Sequence, residues 1–365
     1  METRINKLLH MLKEKNVDSL FLTSKANIFY LSNYYTEPHE RLVAIYLDQK
    51  DDPLLILPAM EKQDAVQAGW KGALLPYTDD ENPWKLFSNY IKQLKRKPKS
   101  LAIEKDHLTV DRYESIKGVL PSTELIEGKE LVSDLRLIKD KEEMDTLKHA
   151  AKLADYGIKV GVDALQVGKR ELDVIAEIEY ALKKEGVREM SFSTMVLAGK
   201  NTASPHGTPG LNKIKAGDLV LFDLGVVYNG YCSDITRTIA YQEINPEQEK
   251  IYQAVLRGQE KAIEAAQLGK TVGTLDQAAR HYISAAGYGE YFTHRIGHGI
   301  GIDVHEYPSL TSENNLTLQS GMSFTIEPGI YVPNVGGVRI EDEIVMTEEG
   351  AELLTTYPKE LQVIE

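Results

Sequence analysis

Two aspartates, Asp223 and Asp234, stand on either side of Asn229-Gly230 in the segment LVLFDLGVVYNGYCSDITRTIAY. Asn-Gly suits a type I′ turn, and the β-branched and aromatic residues around it suit strands. A two-residue loop sets Tyr228 opposite Tyr231, Asp223 opposite Thr236 and Gly225 opposite Asp234. Strand side chains alternate faces, so Asp223, Gly225, Asp234 and Thr236 share one face. The two carboxylates become diagonal neighbours, roughly 7–8 Å apart at the backbone. Like charges so close are costly unless a cation lies between them. A wet polar face is the bland alternative, and the apolar flanks LVLF and ITRTIA count against it. Cys232 falls on the same face and reads as a small packed hydrophobe, since no basic group adjoins it.

Three histidines crowd into HRIGHGIGIDVHE: His294, His298 and His305. Glycines at 297, 299 and 301 predict a loop whose backbone can approach a ligand. A neutral imidazole in such a loop is a common metal ligand, although a histidine core network has the same spacing. In FTIEPGIYVPNVGGVRIEDEIVM, Glu327 and Glu341 end two strand-like runs joined through NVGG (334–337). Their separation of 14 is even, so an odd-length hairpin loop makes them face each other. Buried carboxylates need partners, and Arg339, on the parity of Glu341, is a candidate for one of them. Four carboxylates and one imidazole do not resemble a Cys/His structural zinc site. They suit harder divalent ions, manganese first, with cobalt, iron and zinc as alternatives. Four carboxylates also fit two ions about 3.5–4 Å apart better than a single catalytic zinc.

These strands need a scaffold. Helical patterns at about 141–185 and 247–286 each precede strands, at 192–242 and 303–346, so one order of elements occurs twice. Asp140 and Glu143 resemble a capping box, and Met144, Leu147, Ala151, Ala154 and Ile158 mark a buried helix face. Before them lies an alternating region: helix from Ile5, strands SLFLT (19–23), LVAIYL (42–47) and LLILP (54–58), helix 83–94, strand SLAIE (100–104). That alternation predicts an α/β layer domain over 1–134, followed by a larger domain over 135–365. His10, His39 and His107 are isolated there and read as surface residues, and His281 is given no role.

With 365 residues, the chain can bury a sizeable core. A net charge of -13 argues against a general nucleic-acid binder and against docking on anionic lipid. The charged start METRINKLLHMLKEKNVDSLFL lacks a signal-peptide pattern, and no apolar run approaches a membrane span. Cys232 is the only cysteine, which excludes a disulfide scaffold and favours a reducing, cytoplasmic setting.

Taken together, Asp-x10-Asp, GHGIG, TIEPGIY and GGVRIED resemble the pita-bread-fold metallopeptidases (peptidase family M24). Within them the match is to the Xaa-Pro dipeptidase (prolidase) and aminopeptidase P group, over nearly the whole chain. The resemblance implies an α+β pita-bread catalytic domain behind a smaller creatinase/prolidase-like N-terminal α/β domain. It implies two divalent metals held by Asp223, Asp234, His298, Glu327 and Glu341, with Asp234 and Glu341 bridging. The implied reaction is cleavage before proline in X-Pro dipeptides or short peptides, by attack of a metal-bridging hydroxide. Glu327 would handle the proton, and His305 the scissile region and oxyanion. His206, in SPHGTPG, would contact the proline side, His294 would support binding and proton movement, and Arg339 would brace the ligands. A homodimer is also implied. Ser309 stands where some prolidases carry an arginine that pairs the dipeptide carboxylate, which keeps aminopeptidase P, acting on longer peptides, as an alternative. Creatinase shares the fold without the metal pair, and methionine aminopeptidases lack the extra N-terminal domain. A non-catalytic binding protein of this fold should have lost ligands, whereas all five stand here.

Overall fold

The structure, a computed structural model, describes residues 2–94 and 96–365. Met1 and Lys95, within the domain expected over 1–134, lie outside the described residues. The chain forms two compact units, Met1–Arg136 and Leu137–Glu365. Among the described residues no helix is long and apolar enough to cross a membrane.

The first unit is a six-stranded sheet in the order Ala73–Tyr77, Leu54–Pro58, Ala44–Asp48, Ser19–Leu22, Ser100–Ile103, Glu124–Glu127. Ser19–Leu22 runs antiparallel to Ala44–Asp48 and parallel to Ser100–Ile103. It is buried throughout, which explains its lack of polar alternation. Helix Pro83–Gln93 starts with Asn82 as cap and proline at its first position. It lays Phe87 against Phe21 and Tyr46. His10, His39 and His107 are exposed.

The second unit repeats one plan. Helices Lys141–Asp163 and Glu171–Lys184 precede a sheet ordered Val363–Ile364, Ile235–Tyr241, Leu219–Leu224, Met195–Ala198. Helices Pro246–Ala265 and Gly273–Ala285 precede a sheet ordered Glu306–Leu310, Gly297–Gly299, Ser323–Ile326, Asp342–Thr347, Gly350–Leu353. Each helix pair has its own core. Ala154, Ile158 and Ile178 cluster with Phe222, Leu224 and Ile239, while Ile251, Val255 and Leu275 cluster with Phe324 and Ile344. Asp140 and Glu143 form the capping box. Glu143 also accepts the Tyr231 hydroxyl at 2.7 Å, which ties the start of helix Lys141–Asp163 to the tip of the aspartate hairpin.

That hairpin has the expected register: Tyr228 pairs with Tyr231 and Asp223 with Thr236. Asn229 and Gly230 both take positive φ, 48° and 84°, as a type I′ turn requires. Gly225 has to be glycine, because a Cβ there would lie 1.8 Å from the Ser233 carbonyl oxygen. The glutamate hairpin pairs Gly329–Val332 with Gly336–Arg339, and the same register continues in Ser323–Ile326 against Asp342–Thr347. Its loop, 333–335, has odd length, so Glu327 and Glu341 fall opposite each other between the two ladders. Arg237, 1% exposed, clamps the two hairpins together. It pairs with Asp342 at 2.7 Å and donates to the Thr236 carbonyl at 3.0 Å.

One expectation is corrected. His298 sits not in a loop but at the centre of the short strand Gly297–Gly299, between Glu306–Leu310 and Ser323–Ile326. A Cβ at 297 would stand 2.0 Å from the Thr325 carbonyl oxygen, and one at 299 would stand 2.4 Å from that of Tyr307. These glycines allow neighbouring backbones to close in, rather than giving a loop its freedom.

Candidate metal centre

Asp223, Asp234, His298, Glu327 and Glu341 all line one cavity of about 460 Å³, together with His206, His294, His305 and Arg339. The aspartate hairpin supplies two of them from one sheet. The second sheet and its glutamate hairpin supply the other three. Asp234, His298 and Glu341 are buried, and each offers a ligand atom within 4.8 Å of the others. Nε2 of His298 lies 3.3 Å from Glu327 and 3.6 Å from Asp234. Asp223 is ion-paired with Arg339. Arg339 therefore serves an aspartate of the other hairpin and not, as its parity suggested, one of the glutamates.

The polar bookkeeping of this cluster does not close within the protein. Among the described residues, Asp223 Oδ1, Asp234 Oδ1 and Glu341 Oε1 are buried without a hydrogen-bond partner. Glu341 receives one bond, from Thr236 at 2.8 Å. Nδ1 of His298 lies 3.1 Å from the Gly299 carbonyl, so it carries the proton and donates. Nε2 is then a bare lone pair facing carboxylate oxygens, which are acceptors only. Burial, and secondarily His305, push His298 down to about 3, so protonation does not relieve that conflict at neutral pH. Burial and the charge of Glu341 hold Asp234 and Glu327 well above the usual carboxylate range. Burial and Asp223 push Glu341 up to about 7. Four acidic groups face two guanidiniums, Arg339 and Arg295, of which only Arg339 is ion-paired with one of them, so two negative charges are left unbalanced when all are ionised. Hard divalent cations among these oxygens would satisfy every one of these features, so the donor set fits such ions. Glu343 is also buried with both oxygens unpartnered, and burial holds its carboxyl well above the usual carboxylate range.

The histidines divide by setting. His305 is exposed, with its ring 4.3 Å from that of His298. His206 is exposed on the cavity wall. His294 has both ring nitrogens engaged: Nδ1 meets the Arg295 carbonyl at 2.8 Å, and Nε2 meets the Tyr331 hydroxyl at 3.0 Å. Burial pushes it down to about 4, so it is neutral. Arg339 donates to the same Tyr331 hydroxyl at 2.8 Å. A carbonyl accepts only, so Nδ1 of His294 carries the proton. The Tyr331 hydroxyl then donates to Nε2, and the chain runs from Arg339 through Tyr331 to His294. Cys232 stays outside this cavity, buried, with its thiol pushed up to about 12 by burial.

Tyr331 and Arg295 also line the cavity and were not singled out by the sequence reading. Tyr331 lies four positions past Glu327 on the same strand parity, so the hairpin argument that placed Glu327 also reaches it. Arg295, between His294 and the strand of His298, gave no spacing signal.

Comparison with known proteins places the chain. Residues 145–348 match the description "Metallopeptidase family M24", and residues 4–138 match "Creatinase/Prolidase N-terminal domain". The chain is similar to "Putative dipeptidase YkvY" of Bacillus subtilis (strain 168), 50% identical over 361 residues and covering 99% of both chains. It is also similar to the solved Xaa-Pro dipeptidase from Bacillus anthracis, at 34% identity and TM-score 0.93, covering 100% of this chain and 99% of that one. A prolidase from Pyrococcus horikoshii OT3 superposes with TM-score 0.89 at 34% identity, covering 98% of this chain and 99% of its own. The chain thus belongs to metallopeptidase family M24, a hydrolase of peptide bonds that joins a creatinase/prolidase N-terminal domain to a pita-bread catalytic domain.

Proposed function

We propose that this protein is an Xaa-Pro dipeptidase that works with two divalent ions, manganese in the first instance. Asp223, Asp234, His298, Glu327 and Glu341 would hold the ions in this reading. The observation that carries it is the convergence of unpartnered, buried carboxylate oxygens on the bare Nε2 of His298. Bound ions would polarise the scissile carbonyl and lower the pKa of the attacking water. The protein supplies the rest. Glu327, 3.3 Å from His298 and 18% exposed, is open enough to take the proton of that water. His305, exposed beside His298, is placed to hydrogen-bond the developing oxyanion. His206 contacts the substrate on its proline side. His294 touches its own scaffold through both nitrogens, so it acts by holding Tyr331 and, through it, Arg339 against Asp223.

The unit over 135–365 carries the chemistry. None of the five proposed ligands lies in the domain over 1–134. We further read the enzyme as a cytoplasmic homodimer, on the resemblance of its sequence and its single cysteine. The test is hydrolysis of an X-Pro dipeptide and an X-Pro tripeptide with manganese, cobalt or zinc after chelation. Metal-dependent release of proline from the dipeptide supports the reading. Cleavage of the tripeptide alone reassigns the chain to aminopeptidase P, and cleavage of neither removes the assignment.

A further inference from the structure

Glu171 opens helix Glu171–Lys184 and is completely buried, yet among the described residues no cation pairs with it. Its partners are neutral N–H donors, all supplied by one stretch of chain. Oε1 accepts from the Ala198 N–H at 2.8 Å, from Asn201 Nδ2 at 3.0 Å and from Asn212 Nδ2 at 3.1 Å. Oε2 accepts from the Gly210 N–H at 2.9 Å. The contact is reciprocal. The N–H groups of Glu171 and Leu172, which start a helix and so lack partners within it, donate to the carbonyls of Asn212 and Gly210 at 3.1 and 3.3 Å. A carboxylate offers about four lone-pair sites, so this one is filled. Its charge also suits the positive end of a helix. Burying a carboxylate is costly, and a complete set of donors offsets that cost only while they stay in place. The chain that supplies them is therefore held to one shape.

Asn201 and Gly210 are the two feet of a loop, and Pro205 and His206 at its crest line the catalytic cavity, which Glu171 does not reach. Thr202 braces the loop from within: its hydroxyl donates to the Gly199 carbonyl at 2.6 Å and accepts from the Gly337 N–H at 2.8 Å. At the crest, Arg339 meets the Pro205 carbonyl only at 3.5 Å. His206 is exposed, and among the described residues its ring makes no hydrogen bond, so its place depends on the feet. We propose that Glu171 is the positioning residue for His206: by fixing both feet it sets the imidazole against the proline side of the substrate, and so governs binding without touching the peptide. The proposal rests on the reading that the site hydrolyses X-Pro peptides and that His206 meets their proline side. Glu171→Gln isolates the effect. The amide oxygen takes the Oε1 position, where three donors meet, and the amide nitrogen then faces the Gly210 N–H, donor against donor. One foot stays anchored and the other is released.

The experiment measures kcat and KM for Ala-Pro, with manganese, in the wild type, Glu171→Gln, His206→Ala and the double variant, together with hydrogen exchange over 199–212. Glu171→Gln should raise KM by about 10-fold and leave kcat within about 2-fold. Exchange over 199–212 should quicken, while that of the aspartate hairpin stays as in the wild type. Because Glu171 acts through His206, the same substitution should change nothing further in the His206→Ala background. An equal loss in both backgrounds, a fall in kcat with KM unchanged, or unaltered exchange overturns the proposal. If Glu171→Gln does not fold, Asn212→Ala decides, since it removes the amide that donates to both Glu171 and the Ala198 carbonyl. A rise in KM of about 3-fold that vanishes in His206→Ala supports the role, and no rise, or one that persists there, overturns it. A wild type that cleaves Ala-Pro, with Glu171→Gln indistinguishable from it, overturns the positioning role and leaves the peptidase reading intact. A wild type that cleaves no X-Pro peptide removes both.

Discussion

Glu341 shows how much this cavity asks of individual residues. It is buried and receives one hydrogen bond, and its second oxygen has none. Burial first, and Asp223 second, push it up to about 7 from an ordinary 4.5. Without metal, the folded protein binds more protons here than the unfolded chain does between those two values. In the metal-free protein the raised carboxyls of Glu341, Asp234 and Glu327 then take stability away as pH rises from 5 to 7, and they outnumber the lowered His294 and His298, whose contribution runs the other way. Metal reverses the trend, because ligation requires ionised carboxylates and acid releases the ions. Thermal melts at pH 5 and 7 should show opposite slopes for chelated and manganese-loaded protein, and parallel slopes would contradict the assignment. Tyr331→Phe tests the neighbouring chain. It removes the hydroxyl between Arg339 and His294, and should lower kcat by about 10–100-fold with little change in KM. An unchanged kcat in steady-state assays would separate that chain from the chemistry.

At the scale of elements, two hairpins do the positioning. Gly225 sits where the aspartate hairpin has no room, 1.8 Å from a carbonyl oxygen. Gly225→Ala should cost more than about 4 kcal/mol, the range reserved for core overpacking, and denaturant unfolding would measure it. A loss under about 1 kcal/mol would mean that the strands are not so tightly closed. Much of this level was legible in the sequence, for a physical reason. Asn229-Gly230 fixes its own turn, and a fixed turn fixes every pair outward to Asp223 and Thr236. The odd loop 333–335 does the same for Glu327 and Glu341. What could not be read locally was contact between the two hairpins. Arg339 finds Asp223 across 116 positions of chain, and strand parity says nothing about such a partner. The glycines around His298 misled in the other direction. Their usual meaning is a turn, yet here they thin a strand so that its neighbours can close on it.

On the scale of the whole molecule, two similar helix-and-sheet layers each lend part of one cluster, and neither could assemble it alone. Arg237 is the visible link, paired with Asp342 on the strand that follows Glu341. Burial works against the charge of Asp342, but Arg237 and Lys359 outweigh it and bring the carboxyl down to about 2. That link persists above pH 4 and weakens as pH falls toward 2. The α/β layering of the first domain followed from alternating elements and the pita-bread class from the resemblance of the motifs, while the joining of the layers belongs to tertiary packing and left no local signal. What the joined layers create is an excess of buried negative charge that divalent ions would neutralise. The most direct measurement is the manganese content of chelated, reloaded and desalted protein by elemental analysis. Two ions per chain, with at least one lost in Asp234→Asn, is the expected result. Folded protein that retains none, or as much in Asp234→Asn as in the wild type, would contradict it.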